Sequence, residues 1–141
     1  MRISLMLIAA APLASCAPTA PQIEVRDPWA RATAPGQPSG AIYATIVNRG
    51  SADRLVGVAS DAGTAMLHSS DSADGVARMR MLSELPVPAS GEVALAPGGT
   101  HIMLTGLKAP LTAGSNIGLT LRFAETGPRT VRVAVVAPGG R

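Results

Sequence analysis

Cysteine and aromatic side chains are both scarce in this chain of 141 residues. Cys16 is the only cysteine, and aromatic residues make up 2% of the sequence. A single cysteine cannot form a disulfide within the chain, so the fold must be stable without cross-links. With so few aromatics to stack on bases, and with arginines scattered rather than clustered, the composition argues against nucleic-acid binding.

Apolar residues are abundant, at 47% of the chain, which is enough for one packed domain. Because aromatics are rare, the core must be built chiefly from Val, Leu, Ile and Ala. The formal net charge is +3, and Lys108 is the only lysine, so the basic character comes almost entirely from arginine.

The longest apolar run lies at the N-terminus and predicts an export signal over residues 1–15. Arg2 supplies a positive charge, and the run from Ile3 to Leu13 is shorter than the roughly 20 residues of a membrane-spanning helix. It ends in Leu-Ala-Ser-Cys, which resembles a bacterial lipobox. We therefore predict that Cys16 is acylated and becomes the mature N-terminus. An ordinary secretory signal with an incidental cysteine is the alternative.

Acylation of Cys16 would leave no free thiol. This excludes a blue-copper site, which needs a cysteine thiolate, and it excludes a thiol–disulfide redox role. Residues 16–22 are then the lipidated cysteine and a short tether. By resemblance to lipoprotein sorting rules, Ala17 after the cysteine points to the outer membrane. The expected location is the periplasm, with the protein held at the membrane by its lipid.

Alternation of apolar and polar residues predicts a β domain over residues 23–136, followed by a short tail at 137–141. The alternation is clearest in residues 117–123 and 131–135. Fifteen glycines and twelve prolines separate many short segments, and no helical period is sustained outside the signal. The predicted fold class is therefore all-β, as an antiparallel immunoglobulin-like sandwich or a Greek-key barrel.

Several residues are predicted to have structural roles only. Residues 70–75 are expected to form a loop, and Asp53 is expected to be an ordinary loop acid. Trp29 and Tyr43 are expected to anchor the core.

Both histidines and four of the six methionines fall between residues 66 and 103. His68, Met79, His101 and Met103 follow the pattern His-x10-Met-x21-His-x-Met. Thioether sulfur is a soft donor and imidazole is borderline, so such a set, without carboxylate or thiolate, suits Cu(I) better than other common metals. In a strand, His101 and Met103 would share one face while Ile102 points into the core.

A hairpin over residues 72–75 would pair the strand of His68 with the strand of Met79 and Met81. If the hairpin centre falls after Ala73, His68 lies opposite Met79. If residues 74 and 75 are the two central residues of a type I′ turn, His68 lies opposite Met81. Local rules leave both registers open.

The pattern and its surroundings resemble the PCuAC family of periplasmic Cu(I) chaperones. The likeness includes Asp-Pro-Trp-Ala-Arg-Ala at 27–32, Met-Arg-Met at 79–81 and the run from Pro97 to Lys108. It extends over roughly residues 23–136. The resemblance implies a cupredoxin-like β-barrel. It also implies one Cu(I) site with four ligands: His68, Met79, His101 and Met103. Many family members carry a His/Met-rich tail, which residues 137–141 lack.

The resemblance further implies a carrier that passes Cu(I) by ligand exchange to a copper-accepting protein. That protein would be the copper subunit of cytochrome oxidase or a Sco-type protein. An enzyme is not expected, because there is no Gly-x-Ser-x-Gly motif and only two histidines for a zinc site. A monomer is expected. A copper-buffering protein and a structural immunoglobulin-like lipoprotein module remain alternatives, as does assistance from Met66 or Met81.

Overall fold

The computed structural model of this chain describes Pro12 and residues 19–141. Most of the predicted signal, the predicted acylation site Cys16 and the start of the predicted tether lie outside the described residues. The described residues form ten strands between residues 23 and 136. They contain no helix, and hence none long and apolar enough to cross a membrane.

The strands in chain order are β1 (Ile23–Arg31), β2 (Ser39–Asn48), β3 (Asp53–Ser60), β4 (Thr64–Ala73), β5 (Val76–Met81), β6 (Leu85–Val87), β7 (Gly91–Leu95), β8 (Thr100–Thr105), β9 (Asn116–Phe123) and β10 (Gly127–Val136). Their hydrogen-bonded order is β5-β4-β8-β2-β1-β10-β9-β3-β6, and β7 pairs with the second half of β2. β3 and β4 also contact each other, although they are not hydrogen-bonded neighbours in the described sheet. The predicted all-β class is confirmed. The pairing is antiparallel as expected, except that β1 and β10 run parallel.

The main core cluster is aliphatic, as the composition predicted, with Phe123 as its one aromatic member among the described residues. Ile102 and Leu104 of β8 are fully buried in it, as are Ile42 and Ile46 of β2. Burying each such side chain contributes about 1.5–3 kcal/mol relative to leaving it exposed. The inner face of β8 is therefore fixed, and its outer face must present His101 and Met103.

The β4–β5 hairpin corrects the prediction of a loop at residues 70–75. β4 continues through Ala73, because every residue from His68 onward has a cross-strand partner in β5. Asp74 and Gly75 have φ of 53° and 73°, and they form the tight turn alone. This is the type I′ geometry that Asp-Gly favours. Cross-strand pairing thus outweighs the polar composition of this segment.

Asp53 is not a loop acid but a buried carboxylate that holds the β9–β10 turn. It accepts hydrogen bonds from the backbone N–H groups of Arg54, Glu125 and Thr126 and from the Thr126 hydroxyl. Burial raises the pKa of the Asp53 carboxyl, but these hydrogen bonds, led by that of Thr126, outweigh burial and leave the pKa below its ordinary value.

The described end of the predicted tether packs against the loop after β2. The side chain of Asn48 is fully buried, and its oxygen accepts from the N–H groups of Gln22 and Gly50. The backbone of residues 19–22 also bonds to Arg49 and Ser51. This part of the tether is therefore attached to the domain.

Candidate metal centre

The hairpin and β8 bring every Met and His of the motif region onto one face of the sheet. In an antiparallel sheet, directly paired residues share a face, and so do residues two apart in one strand. His68 pairs with Met81 on one side and with His101 on the other. Met66 pairs with Met103, and Met79 pairs with Ser70. The resulting face carries six donor side chains: Met66, His68, Met79, Met81, His101 and Met103.

His101 is the most enclosed of these side chains, at 5% exposed. Its Nδ1 lies 2.9 Å from the carbonyl oxygen of Gly99. A carbonyl only accepts, so Nδ1 carries the proton and Nε2 keeps a free lone pair. Gly99 is held in turn, because its carbonyl also accepts from the N–H of Ser70 at 3.1 Å. The loop before β8 therefore orients His101 with one nitrogen available to a metal.

His68 faces His101 across β4 and β8, with ring centroids 6.1 Å apart and planes at 67°. Its Nδ1 is buried and has no hydrogen-bond partner among the described residues. Leaving a buried polar nitrogen unpaired costs about 1–3 kcal/mol. A metal ion bound there would remove that cost. The two imidazoles thus fit a shared soft cation better than they fit simple packing.

Met103 and Met79 differ in how closely the fold places them to the two imidazoles. Met103 lies two residues from His101 on the same strand and is half-buried. Met79 is diagonal to His68 rather than opposite it, because it pairs with Ser70. Direct cross-strand neighbours have Cβ atoms about 5 Å apart, and diagonal ones are about 7–8 Å apart. Of the two hairpin registers that the sequence left open, the structure has the one in which Met81 faces His68.

Two aromatic side chains that were predicted to anchor the core extend the same face: Trp29 is buried, as predicted, whereas Tyr43 is only half-buried. Tyr43 lies beside His101 with ring centroids 6.3 Å apart, and Trp29 packs on Tyr43 at 4.6 Å. Neither belongs to the main core cluster. Trp29 follows a β-bulge at Asp27, whose φ is 47°. Trp29 of β1 pairs directly with Tyr43 of β2. That pairing would have placed both rings on this face, but it can be predicted only if the β1 bulge is known.

Together these residues present imidazole nitrogens and thioether sulfurs to one region of the surface. Among the described residues, no cluster of three or more His, Cys, Asp or Glu side chains could hold a metal ion. Fold and donors define a small all-β domain with a candidate site for a soft, monovalent metal.

Comparison with known proteins agrees with this class. Residues 23–135 match the family model described as "LpqE-like: Putative lipoprotein LpqE-like". The chain is 38% identical over 116 residues to "Putative lipoprotein Lxx21020" of Leifsonia xyli, covering 80% of this chain and 69% of that protein. It is 33% identical over 115 residues to "Uncharacterized protein RP573" of Rickettsia prowazekii, covering 77% of this chain and 63% of that protein.

Solved structures resemble the fold closely. The copper-bound PCuAC domain from PmoF2 superposes with a TM-score of 0.71 at 28% identity, covering 84% of this chain and 96% of that domain. The solution structure of CuI-DR1885 from Deinococcus radiodurans gives 0.65 at 30% identity, covering 87% and 81%. The chain belongs to the LpqE-like family and is a PCuAC-family protein, as the sequence motif predicted.

Proposed function

We propose that this protein is a periplasmic chaperone that carries one Cu(I) ion on the face formed by β4, β5 and β8. The observation that carries the proposal is the pairing of His68 with His101. Gly99 orients the His101 imidazole, and the buried Nδ1 of His68 has no hydrogen-bond partner within the described part of the chain. Two similar solved structures are described as copper-bound, which supports copper as the cargo.

The proposed ligands are His68, Met79, His101 and Met103. Cu(I) has a filled d shell and accepts several coordination numbers, so an acceptor can replace its ligands one at a time. Thioethers neither titrate nor form disulfides, so they suit an oxidising compartment. A neutral carrier site of this kind holds the ion without changing its oxidation state.

Binding is tested by native mass spectrometry of the protein residues 17–141 with and without Cu(I) under anaerobic conditions. We expect one copper ion per chain. His101→Ala and Met103→Ala should each lose at least about tenfold in affinity, since they remove donors. Thr100→Ala, on the same strand but the opposite face, is the control and should bind normally. No bound copper in the wild-type protein would favour a structural module instead.

The recipient we propose is the copper subunit of cytochrome oxidase, reached directly or through a Sco-type thiol protein. A thiolate acceptor would take Cu(I) from thioether ligands readily, because thiolate is the stronger soft donor. Mixing the Cu(I)-loaded protein with each apo acceptor and separating the two would show which one gains copper. If the protein kept its copper in the presence of either acceptor, the result would support buffering instead of delivery.

We also propose that Cys16 is acylated and that the protein is a monomer held at the outer membrane. The lipobox-like sequence and the lipoprotein description of its family support the anchor. Globomycin treatment and Cys16→Ser should each block processing, and membrane fractionation should place the mature protein in the outer membrane. Recovery in the soluble periplasmic fraction would contradict the anchor.

A further inference from the structure

The edge strand β5 carries two methionines on the donor face, and only one of them belongs to the proposed ligand set. Met79 and Met81 are 52% and 70% exposed, although methionine is usually buried. β5 forms the outer edge of the sheet and pairs with β4. Both sulfurs are therefore within reach of solvent and of a docking protein.

Register makes Met81 the nearer of the two to the imidazole pair. Met81 stands directly opposite His68, and His68 stands directly opposite His101, so the three form one row across β5, β4 and β8. Met79 lies one step further along β5, beside Ser70. A copper ion bound by His68 can thus be approached by the Met81 sulfur as well as by that of Met79.

We propose, on the basis of the function proposed above, that Met81 is a further copper donor that alternates with Met79 at one coordination position. The ion then has two exchangeable sulfur partners on an exposed edge and a set of enclosed donors on β4 and β8. When an acceptor ligand binds, one Cu–S(Met) bond breaks as one Cu–S(acceptor) bond forms, and the donors on β4 and β8 hold the ion until they are replaced in turn. No electron is transferred in this exchange.

The test is a set of methionine-to-leucine variants, because leucine preserves volume and removes the donor. Met79→Leu, Met81→Leu and the double variant are compared in Cu(I) affinity and in the rate of copper transfer to the chelator bathocuproine disulfonate. Val76→Leu is the matched control, since Val76 is on the same strand and 53% exposed but points to the other face. Thermal melts establish that each variant is folded.

If the two sulfurs alternate, each single variant weakens binding by less than about tenfold, and the double variant loses more than the product of the two single effects. Transfer to the chelator should be faster in each single variant, because one of the two sulfurs that can recapture the ion is gone. Wild-type behaviour of Met81→Leu, both alone and in the Met79→Leu background, would overturn this proposal and leave the four-ligand site intact. Absence of copper from the wild-type protein would instead remove the proposed function itself.

Discussion

His68 and His101 face each other directly across β4 and β8, with ring centroids 6.1 Å apart. They are 33 residues apart in sequence, and the antiparallel pairing of these two strands is what joins them. His101 is fixed by the Gly99 carbonyl, whereas the Nδ1 of His68 has no partner in the described part of the chain. This asymmetry suggests one rigid ligand and one ligand that metal binding would order.

The loop before β8, which contains Gly98 and Gly99, should control the affinity of the site for Cu(I). Gly98 has φ of 79°, a conformation that costs a residue with Cβ about 1–2 kcal/mol. We expect Gly98→Ala to destabilise the fold by about that amount and to weaken Cu(I) binding, because the loop positions the acceptor of the His101 Nδ1 proton. Gly99→Ala is the control: its φ is not in the left-handed region, and its added Cβ would make only an ordinary contact with the Ala96 carbonyl. Chemical denaturation and copper titration of both variants measure the difference. Equal copper affinity in Gly98→Ala and the wild type would contradict this role of the loop.

Tyr43 should support the copper site without binding the ion. Its ring fills the space between Trp29 and His101, so Tyr43→Ala would open a cavity beside the buried imidazole. We expect roughly tenfold weaker Cu(I) binding, as is usual when a group that orients a ligand is lost. Tyr43→Phe keeps the ring and should bind as the wild type does. If Tyr43→Phe bound Cu(I) as weakly as Tyr43→Ala does, the Tyr43 hydroxyl, rather than the packing of its ring, would be responsible for the loss of affinity.

Asp53 should account for part of the acid sensitivity of the fold. Its folded-state pKa is below its ordinary value of about 3.9, so its stabilising contribution is fully present above that pH and is lost as the pH falls through the folded-state pKa. Asp53→Asn should lower the free energy of unfolding by about 2–3 kcal/mol at pH 7, because hydrogen bonds to a buried charge are lost.

The difference between the wild type and Asp53→Asn should shrink on acidification below about pH 4, as measured by urea unfolding across a pH series. Asp61→Asn is a suitable control, since Asp61 is exposed and accepts one backbone hydrogen bond, from Gly118. A difference between wild type and Asp53→Asn that stays constant down to pH 2 would show that Asp53 does not act through its charge.

Exposure predicts the order in which the motif methionines oxidise. Met79 and Met81 are more than half exposed, whereas Met66 and Met103 are partly buried. Peroxide should therefore convert Met79 and Met81 of the apo protein to sulfoxide before Met66 and Met103. Peptide mapping by mass spectrometry after a short exposure reports each residue. Faster oxidation of Met103 than of Met79 would contradict the placement of β5 at the open edge.

Much of this structure could be predicted from local patterns. Alternation located β9 and β10, and the same-face spacing of His101 and Met103 around the buried Ile102 was confirmed. The pairing of His68 with Met81 could not be predicted, because a one-residue shift of the hairpin is equally compatible with the local sequence. It was settled by the turn at Asp74 and Gly75.

Long-range features were the least predictable. The place of Tyr43 beside His101, with Trp29 packed on Tyr43, depends on the β1 bulge and on the order of strands, which local alternation does not encode. The burial of Asp53 depends on a turn more than seventy residues away along the chain. The assignment of His68, Met79, His101 and Met103 as copper ligands stays a prediction.

X-ray absorption spectroscopy of the Cu(I)-loaded protein tests the central claim most directly. We expect one cuprous ion per chain with both nitrogen and sulfur neighbours, the sulfur signal falling in Met103→Ala and the imidazole signal falling in His101→Ala. A cuprous ion surrounded by oxygen and nitrogen alone, unchanged in both variants, would contradict a site built on this face of the sheet.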